Sequence, residues 1–168
     1  DCNVTLLFGL HQAKACADAD VTLISPFVGR ILDWQKKDEG LDSIEISRDK
    51  GVSSVKTIYH YFKQHGYTTQ IMGASFRSIE QILALAGCDL LTIAPDLLDQ
   101  LATMDVKVER QLFPDMKFID LKKQILDETQ FAEQHALDPI SQALLSAGIE
   151  GFIQAREALE QTLRGLVN

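Results

Sequence analysis

Two short stretches carry chemically useful residues at matching positions. "LISPFVGR" (23–30) and "IMGASFR" (71–77) both run from apolar residues through a small-residue break to a serine and an arginine: Ser25 with Arg30, and Ser75 with Arg77. A guanidinium offers permanently charged, bidentate donors and a hydroxyl a directional one, a combination suited to a phosphate group. Amides opening a helix at Ser78 would add partial positive charge. Arginine near a helix N-terminus runs against the macrodipole, and a bound anion explains that conflict more readily than the fold alone. The plainer reading makes both arginines solvated helix-start residues and both serines helix caps. Asn3 and Thr5 are polar members of an otherwise apolar run, "NVTLLF". Either could line a site, and either could be a buried polar group bonded to a carbonyl or a water. Phe27, directly after a proline, is core or an apolar wall of the same site.

Other chemistries find little support. Neither serine stretch is a G-x-S-x-G elbow, and no histidine and acid are placed to activate Ser25 or Ser75. Cys2, Cys16 and Cys88 are odd in number and lack metal-ligand spacing, so they read as small buried apolar residues. His11, His60, His65 and His135 are scattered along the chain, with no two expected to form a metal-ligand pair with a carboxylate, so no metal site is expected. All ten lysines (Lys14, Lys36, Lys37, Lys50, Lys56, Lys63, Lys107, Lys117, Lys122 and Lys123) fall in expected helices, loops or irregular connections. A Schiff-base lysine needs a buried, pKa-lowering position, and none is expected here.

The elements that must position these residues alternate regularly. Residues 3–8, 21–27, 69–75 and 90–95 are short, mostly continuous apolar runs of the kind found in strands buried on both faces. Between them lie helical patterns. "GLHQAKACADAD" is alanine-rich, and "GVSSVKTIYHYFKQHG" sets Val52, Val55, Tyr59 and Phe62 on one face before Gly66 terminates it. "SIEQILALAG" has capping-box spacing between Ser78 and Gln81 and ends at Gly87; Asp96 caps the helix after Pro95. Four β-α units call for parallel strands with helical crossovers. A polar insertion, residues 36–50, reads as a surface loop. Residues 105–137 read as an irregular connection, followed by a long helix from Asp138 whose stripe includes Ile140, Leu144, Ala147, Phe152, Arg156, Leu159, Leu163 and Leu166. That tail is expected to pack on the main fold or across a partner subunit.

Such units make either a small open sheet or half of an eight-fold barrel. A nucleotide-binding open sheet would show a glycine-rich turn after its first strand, whereas "LLFGLHQA" has a lone glycine. Polar residues at the C-terminal strand ends favour the barrel half. With 168 residues, 46% of them hydrophobic, the chain has core material for one domain. A net charge of -8 argues against nucleic-acid binding. No stretch approaches the apolar length of a membrane span and no signal region opens the chain, so a cytoplasmic protein is the default. The start at Asp1 reads as a cut end.

Three strings, "CNVTLLFGLHQAKACADADVTLISPFVGRILDW", "GVSSVKTIYHYFKQHGYTTQIMGASFR" and "ALAGCDLLTIAP", closely resemble the transaldolase family, with weaker similarity around "GIEGFIQA". The resemblance implies the C-terminal half of a (β/α)8 TIM barrel: residues 1–104 as four parallel β-α units, and 105–168 as connection and terminal helix packing on the barrel. It also implies the pentose phosphate pathway, with no metal or organic cofactor. A lysine forms a Schiff base with sedoheptulose 7-phosphate, and a dihydroxyacetone unit passes to glyceraldehyde 3-phosphate, giving erythrose 4-phosphate and fructose 6-phosphate. Carried over by motif, Arg30, Ser75 and Arg77 would bind the sugar phosphate, Ser25 substrate hydroxyls, and Thr5 the water used in proton transfer. Asn3 and Phe27 would line the pocket. The lysine and its acidic helpers belong to earlier strands, so these 168 residues alone are expected to be inactive and to partner the N-terminal half of the barrel, within a homodimer when full length. The alternative is a stand-alone, non-catalytic sugar-phosphate-binding or structural half barrel.

Overall fold

The structure, a computed structural model, describes residues 1–115 and 121–167. Its strands, β1 (Asn3–Leu7), β2 (Leu23–Pro26), β3 (Gln70–Gly73) and β4 (Leu90–Leu91), form one sheet in the spatial order β1-β2-β3-β4. Every pairing is parallel. Each strand joins the sheet beyond its predecessor, so among the described residues the order does not reverse and makes no switch-point crevice of the doubly wound kind. This winding is that of an α/β half-barrel.

The helices α1 (Leu10–Asp18), α2 (Val28–Glu39), α3 (Lys50–His65), α4 (Ile79–Ala84) and α5 (Pro95–Ala102) supply the crossovers. Leu7, Ile24 and Ile71 from the strands join Ala13, Val28, Val55, Ile58, Tyr59 and Phe62 from the helices in one buried core. On the opposite side of the sheet, Asn3, Thr5, Gln70 and Leu90 are exposed. Strand side chains alternate between faces, so one register defines both a sealed helical face and an open one. β1 breaks this alternation. Leu6 has φ +56° where the β1–β2 register shifts, and it turns away to pack with Phe8 and Ile31 while Leu7 enters the main core.

Several boundaries differ from the sequence reading. β4 covers two residues rather than six, and among the described residues no strand lies beyond it. The polar insertion is shorter than expected: α2 continues to Glu39, ended by Gly40 at φ +65°, and the far end folds into a 3-10 turn (Ile46–Arg48) and the buried cap Asp49. α4 stops at Ala84, before Gly87, and the cap of α5 is Ala94 with Pro95 in its first turn, not Asp96.

The largest difference is a helix inside the expected irregular connection, α6 (Glu128–Ala136). Asp127 and Gln130 form its reciprocal capping box, a spacing that could have revealed it. The connection's residues 116–120 lie outside the described residues. The long helix α7 (Pro139–Val167) begins as expected, with Asp138 accepting from the Ser141 amide. Only its first turns pack, however. Ile140, Leu144 and Leu145 meet Leu6 and Phe8, and Gly148 lies against Leu6, whereas Phe152, Leu159, Leu163 and Leu166 of the expected stripe are exposed.

Two of the scattered histidines meet in space. α6 docks on α1 through His11 Nε2, 3.0 Å from His135 Nδ1, with His11 Nδ1 3.9 Å from Asp138. His11 is buried, and that burial lowers its pKa from the ordinary 6.5, opposed by Asp138 and reinforced by His135 and Lys14. The unfolded chain therefore binds this proton more tightly than the folded one. The resulting stability is fully present above 6.5 and is lost as pH falls through the lower, folded value. Thermal melts between about pH 7.5 and 5.5 should show stability declining with acid, and His11→Phe should flatten that slope. Equal slopes in both proteins would contradict the assignment.

Candidate active site

The ends of β2 and β3 are joined by their own backbones. Phe27 bridges to Ala74, and the first two amides of α2, Val28 and Gly29, donate to the carbonyls of Ala74 and Ser75, each at 3.0 Å. These amides would otherwise be orphaned at a helix start. Their partners tie β3 to α2 so closely that a Cβ on Gly29 would lie 2.1 Å from the Ser75 carbonyl oxygen. Ser75 itself sits at φ +62°, a conformation that L-residues seldom adopt outside turns and constrained sites.

Arg77 is anchored beside it. Its Nη1 donates to the Ser75 carbonyl at 3.0 Å and to Ser75 Oγ at 3.2 Å, while Nε and Nη2 donate to Asp33 Oδ2 at 3.0 and 2.7 Å. The side chain crosses the first turn of α2 over Gly29, the neighbour of Arg30. Arg30 stacks its guanidinium 4.8 Å from the centre of the Phe27 ring, whose edge-on partner is Phe8 at 6.1 Å. Both arginines thus lie on the opening turn of one helix, where their charges oppose the dipole.

Nearer the sheet, Ser25 donates to Asn3 Oδ1 at 2.7 Å, which joins two of the expected residues into a pair. Ser25 is buried and Asn3 exposed. Thr5 is exposed on the open face of β1, two residues beyond Asn3. The expected residues therefore form three groups: Asn3 with Ser25, Phe27 with Arg30, and Ser75 with Arg77, with Thr5 beside the first.

Two side chains at this end, Asp33 and Asp49, escaped the sequence reading, and a third, Gln81, was read only as a capping-box residue. Asp33 neutralises part of the Arg77 charge. Gln81 accepts from the Arg77 amide at 2.8 Å and donates to Asp49 at 2.7 Å. Asp49 in turn accepts from the Gly51 and Val52 amides at 2.8 and 3.0 Å. No local spacing rule links Asp33 to Arg77 or Asp49 to Gln81. Of the amides that open this helix, that of Gln81 is engaged by Ser78 Oγ at 3.5 Å, and the Arg77 amide just before the cap goes to Gln81. Glu80 adds an acid there, its carboxyl pKa lowered first by a hydrogen bond from Ser78.

Two further readings are corrected. Lys14 is buried, and that burial lowers its pKa, so one lysine does occupy the kind of position thought absent. It lies on α1, however, bonded to Gln124 at 2.7 Å and over the Tyr61 ring, on the helical side of the sheet. Lys117 is outside the described residues. Cys2 is exposed rather than buried, and Cys16 and Cys88 are half-buried with thiol pKa values raised by burial. Among the described residues, no group of three or more His, Cys, Asp or Glu side chains is placed to hold a metal ion, and no helix is long and apolar enough to cross a membrane.

Comparisons with known proteins agree on one family. The sequence profile described as Transaldolase/Fructose-6-phosphate aldolase matches residues 1–163. The transaldolase of Synechocystis sp. strain PCC 6803 is 55% identical over 162 residues, covering 96% of this chain and 41% of the relative. That of Gloeobacter violaceus is 55% identical over 163 residues, covering 96% and 42%. That of Acidobacterium capsulatum is 52% identical over 163 residues, covering 96% and 49%. The chain spans about half the length of the curated relatives it matches.

Proposed function

We propose, from the premise that this chain belongs to the transaldolase/fructose-6-phosphate aldolase family, that it forms the phosphate-gripping, C-terminal half of a transaldolase barrel. In this reading residues 1–104 build the half barrel, and 105–168 form the connection and covering helix. The open face of the sheet and the two strand edges meet the N-terminal half, and the whole cytoplasmic enzyme is a homodimer. The reaction moves a dihydroxyacetone unit from sedoheptulose 7-phosphate to glyceraldehyde 3-phosphate, within the pentose phosphate pathway. A lysine amine attacks the ketose carbonyl and loses water to give a protonated imine. A base takes the proton of the donor's C4 hydroxyl as the C3–C4 bond breaks, the imine accepts that bond's electron pair, and erythrose 4-phosphate leaves as the aldehyde. The resulting enamine attacks the acceptor aldehyde, whose oxygen takes up the proton, and water hydrolyses the new imine to release fructose 6-phosphate and the lysine amine. No metal or organic cofactor enters.

We assign the lysine to a strand that these 168 residues do not contain; the engagement of Lys14 with Gln124 and Tyr61, away from the strand ends, supports this. Arg77, Ser75 and Arg30 bind the phosphate, Ser25 contacts substrate hydroxyls, Thr5 positions the water that moves protons, and Asn3 and Phe27 line the pocket. One observation carries the reading: the Ser75 hydroxyl and the Arg77 guanidinium are hydrogen-bonded to each other across the turn that bears Arg30.

Titration of the chain with fructose 6-phosphate, followed by borohydride, tests both parts. Saturable binding is expected, and Arg77→Ala should weaken it about tenfold, the scale of one lost charged hydrogen bond. Borohydride should trap no covalent adduct. Unaltered affinity in Arg77→Ala would remove the phosphate assignment, and an adduct on this chain would relocate the reactive amine to one of its own lysines.

A further inference from the structure

Asp33 has no part in the chemistry above, yet it makes the shortest polar contact to Arg77. Its Oδ2 accepts from both Nε and Nη2, at 3.0 and 2.7 Å, while the Ser75 carbonyl and hydroxyl hold Nη1 from the other side at 3.0 and 3.2 Å. A guanidinium carries five N–H groups in one plane, and contacts on two sides fix that plane. Ser75 Oγ accepts from Nη1 and keeps its own hydrogen for another acceptor. An Nη2 hydrogen also remains, so the end of the guanidinium and the serine hydroxyl form a single donor edge.

The pair contributes little to the fold. Arg77 and Asp33 side chains are 41% and 50% exposed, and exposed ion pairs yield about 0–1 kcal/mol. A carboxylate beside a phosphate site also repels the ligand. A contact weak for stability and adverse by charge is explained if it orders the arginine. A free arginine side chain carries about 2 kcal/mol of rotamer entropy, much of which is lost on binding an anion. Held by Asp33, the guanidinium already has the required orientation.

We propose that Asp33 is a positioning residue: it holds the Arg77 guanidinium from α2 so that its free edge and the Ser75 hydroxyl face one phosphate group. The inference rests on Arg77 being the phosphate donor assigned above. A carboxylate that merely occupies the arginine until an anion displaces it predicts the opposite sign on removal.

Titration of the isotope-labelled chain with inorganic phosphate, observed at the Arg77 Nε–H and Ser75 amide resonances, separates the two. Asp33→Ala is expected to weaken phosphate binding about fivefold, although it removes a repelling charge, and to abolish the slowly exchanging Nε–H signal. Asp33→Glu should recover most of the affinity, and the melting temperature should stay unchanged in both. In an Arg77→Ala background, Asp33→Ala should have no further effect. Unchanged or tighter binding in Asp33→Ala, or a Glu variant as weak as the Ala variant, would overturn the inference while Arg77→Ala still lost binding. Absence of saturable binding in the unsubstituted chain, or full binding in Arg77→Ala, would overturn the phosphate assignment as well.

Discussion

Gly29→Ala is expected to destabilise the fold by about 3 kcal/mol, near the upper end for overpacking. Helix propensity alone predicts the reverse, since alanine is better than glycine inside a helix by about 1 kcal/mol. The difference lies in what a Cβ would meet. It would fall 2.1 Å from the Ser75 carbonyl oxygen and 2.8 Å from Arg77 Cγ. The oxygen cannot retreat cheaply, because it accepts from the Gly29 amide and from Arg77, and because Ser75 already holds a φ of +62°. Relief of the clash must therefore separate α2 from the end of β3. Urea unfolding should show the midpoint falling by more than 1 M, taking a slope of about 2 kcal/mol per M. Phosphate affinity should fall with it, as Arg77 loses its seat. A midpoint at or above that of the unsubstituted chain would show that the two backbones are not in this contact.

Asp49→Ala should cost about 2–4 kcal/mol, combining the loss of a helix cap with the stranding of buried donors. Asp49 is buried and meets three donors: the Gly51 and Val52 amides at the start of α3, and the Gln81 side chain. Alanine satisfies none of them and leaves the buried Gln81 amide without its acceptor. Because Gln81 also holds the Arg77 amide, the loss should reach the arginine loop. Hydrogen exchange at the Arg77 amide should accelerate more than exchange in the core of α3. Asp49→Asn, which keeps one carbonyl oxygen, should recover part of the stability. If Asp49→Ala lowered stability by less than about 0.5 kcal/mol, the network would be of no consequence.

The two networks also indicate how far sequence reading could go. Ser75 and Arg77 are two residues apart at a strand end, so their association follows from the local chain and was visible in "GASFR". Arg77 and Asp33 are 44 residues apart, and Asp49 and Gln81 are 32 apart; each pair exists only because the segments that follow the neighbouring strands β2 and β3 come together. The helix α6 was missed for another reason: Phe131 was its main apolar signal, and its docking depends on a histidine contact with α1 that no periodicity encodes. The tail stripe is met only in part within this chain. Its spacing marks an amphipathic helix correctly, and its first turns meet Leu6 and Phe8 while the later apolar residues are exposed in this chain.

What the sequence determined alone were features set by contacts within a few residues: the alternation of apolar runs with amphipathic helices, terminators such as Gly66 at φ +70°, the Ser78 cap, and the two serine-arginine endings. Side-chain period and backbone sterics decide these locally. Only the tertiary structure decided the unreversed strand order, the pairing of Asn3 with Ser25, the burial of Lys14, and the acid that each network needs. These depend on which elements become neighbours, a choice made by packing the whole core at once, and it is that packing which places Asp33 against Arg77.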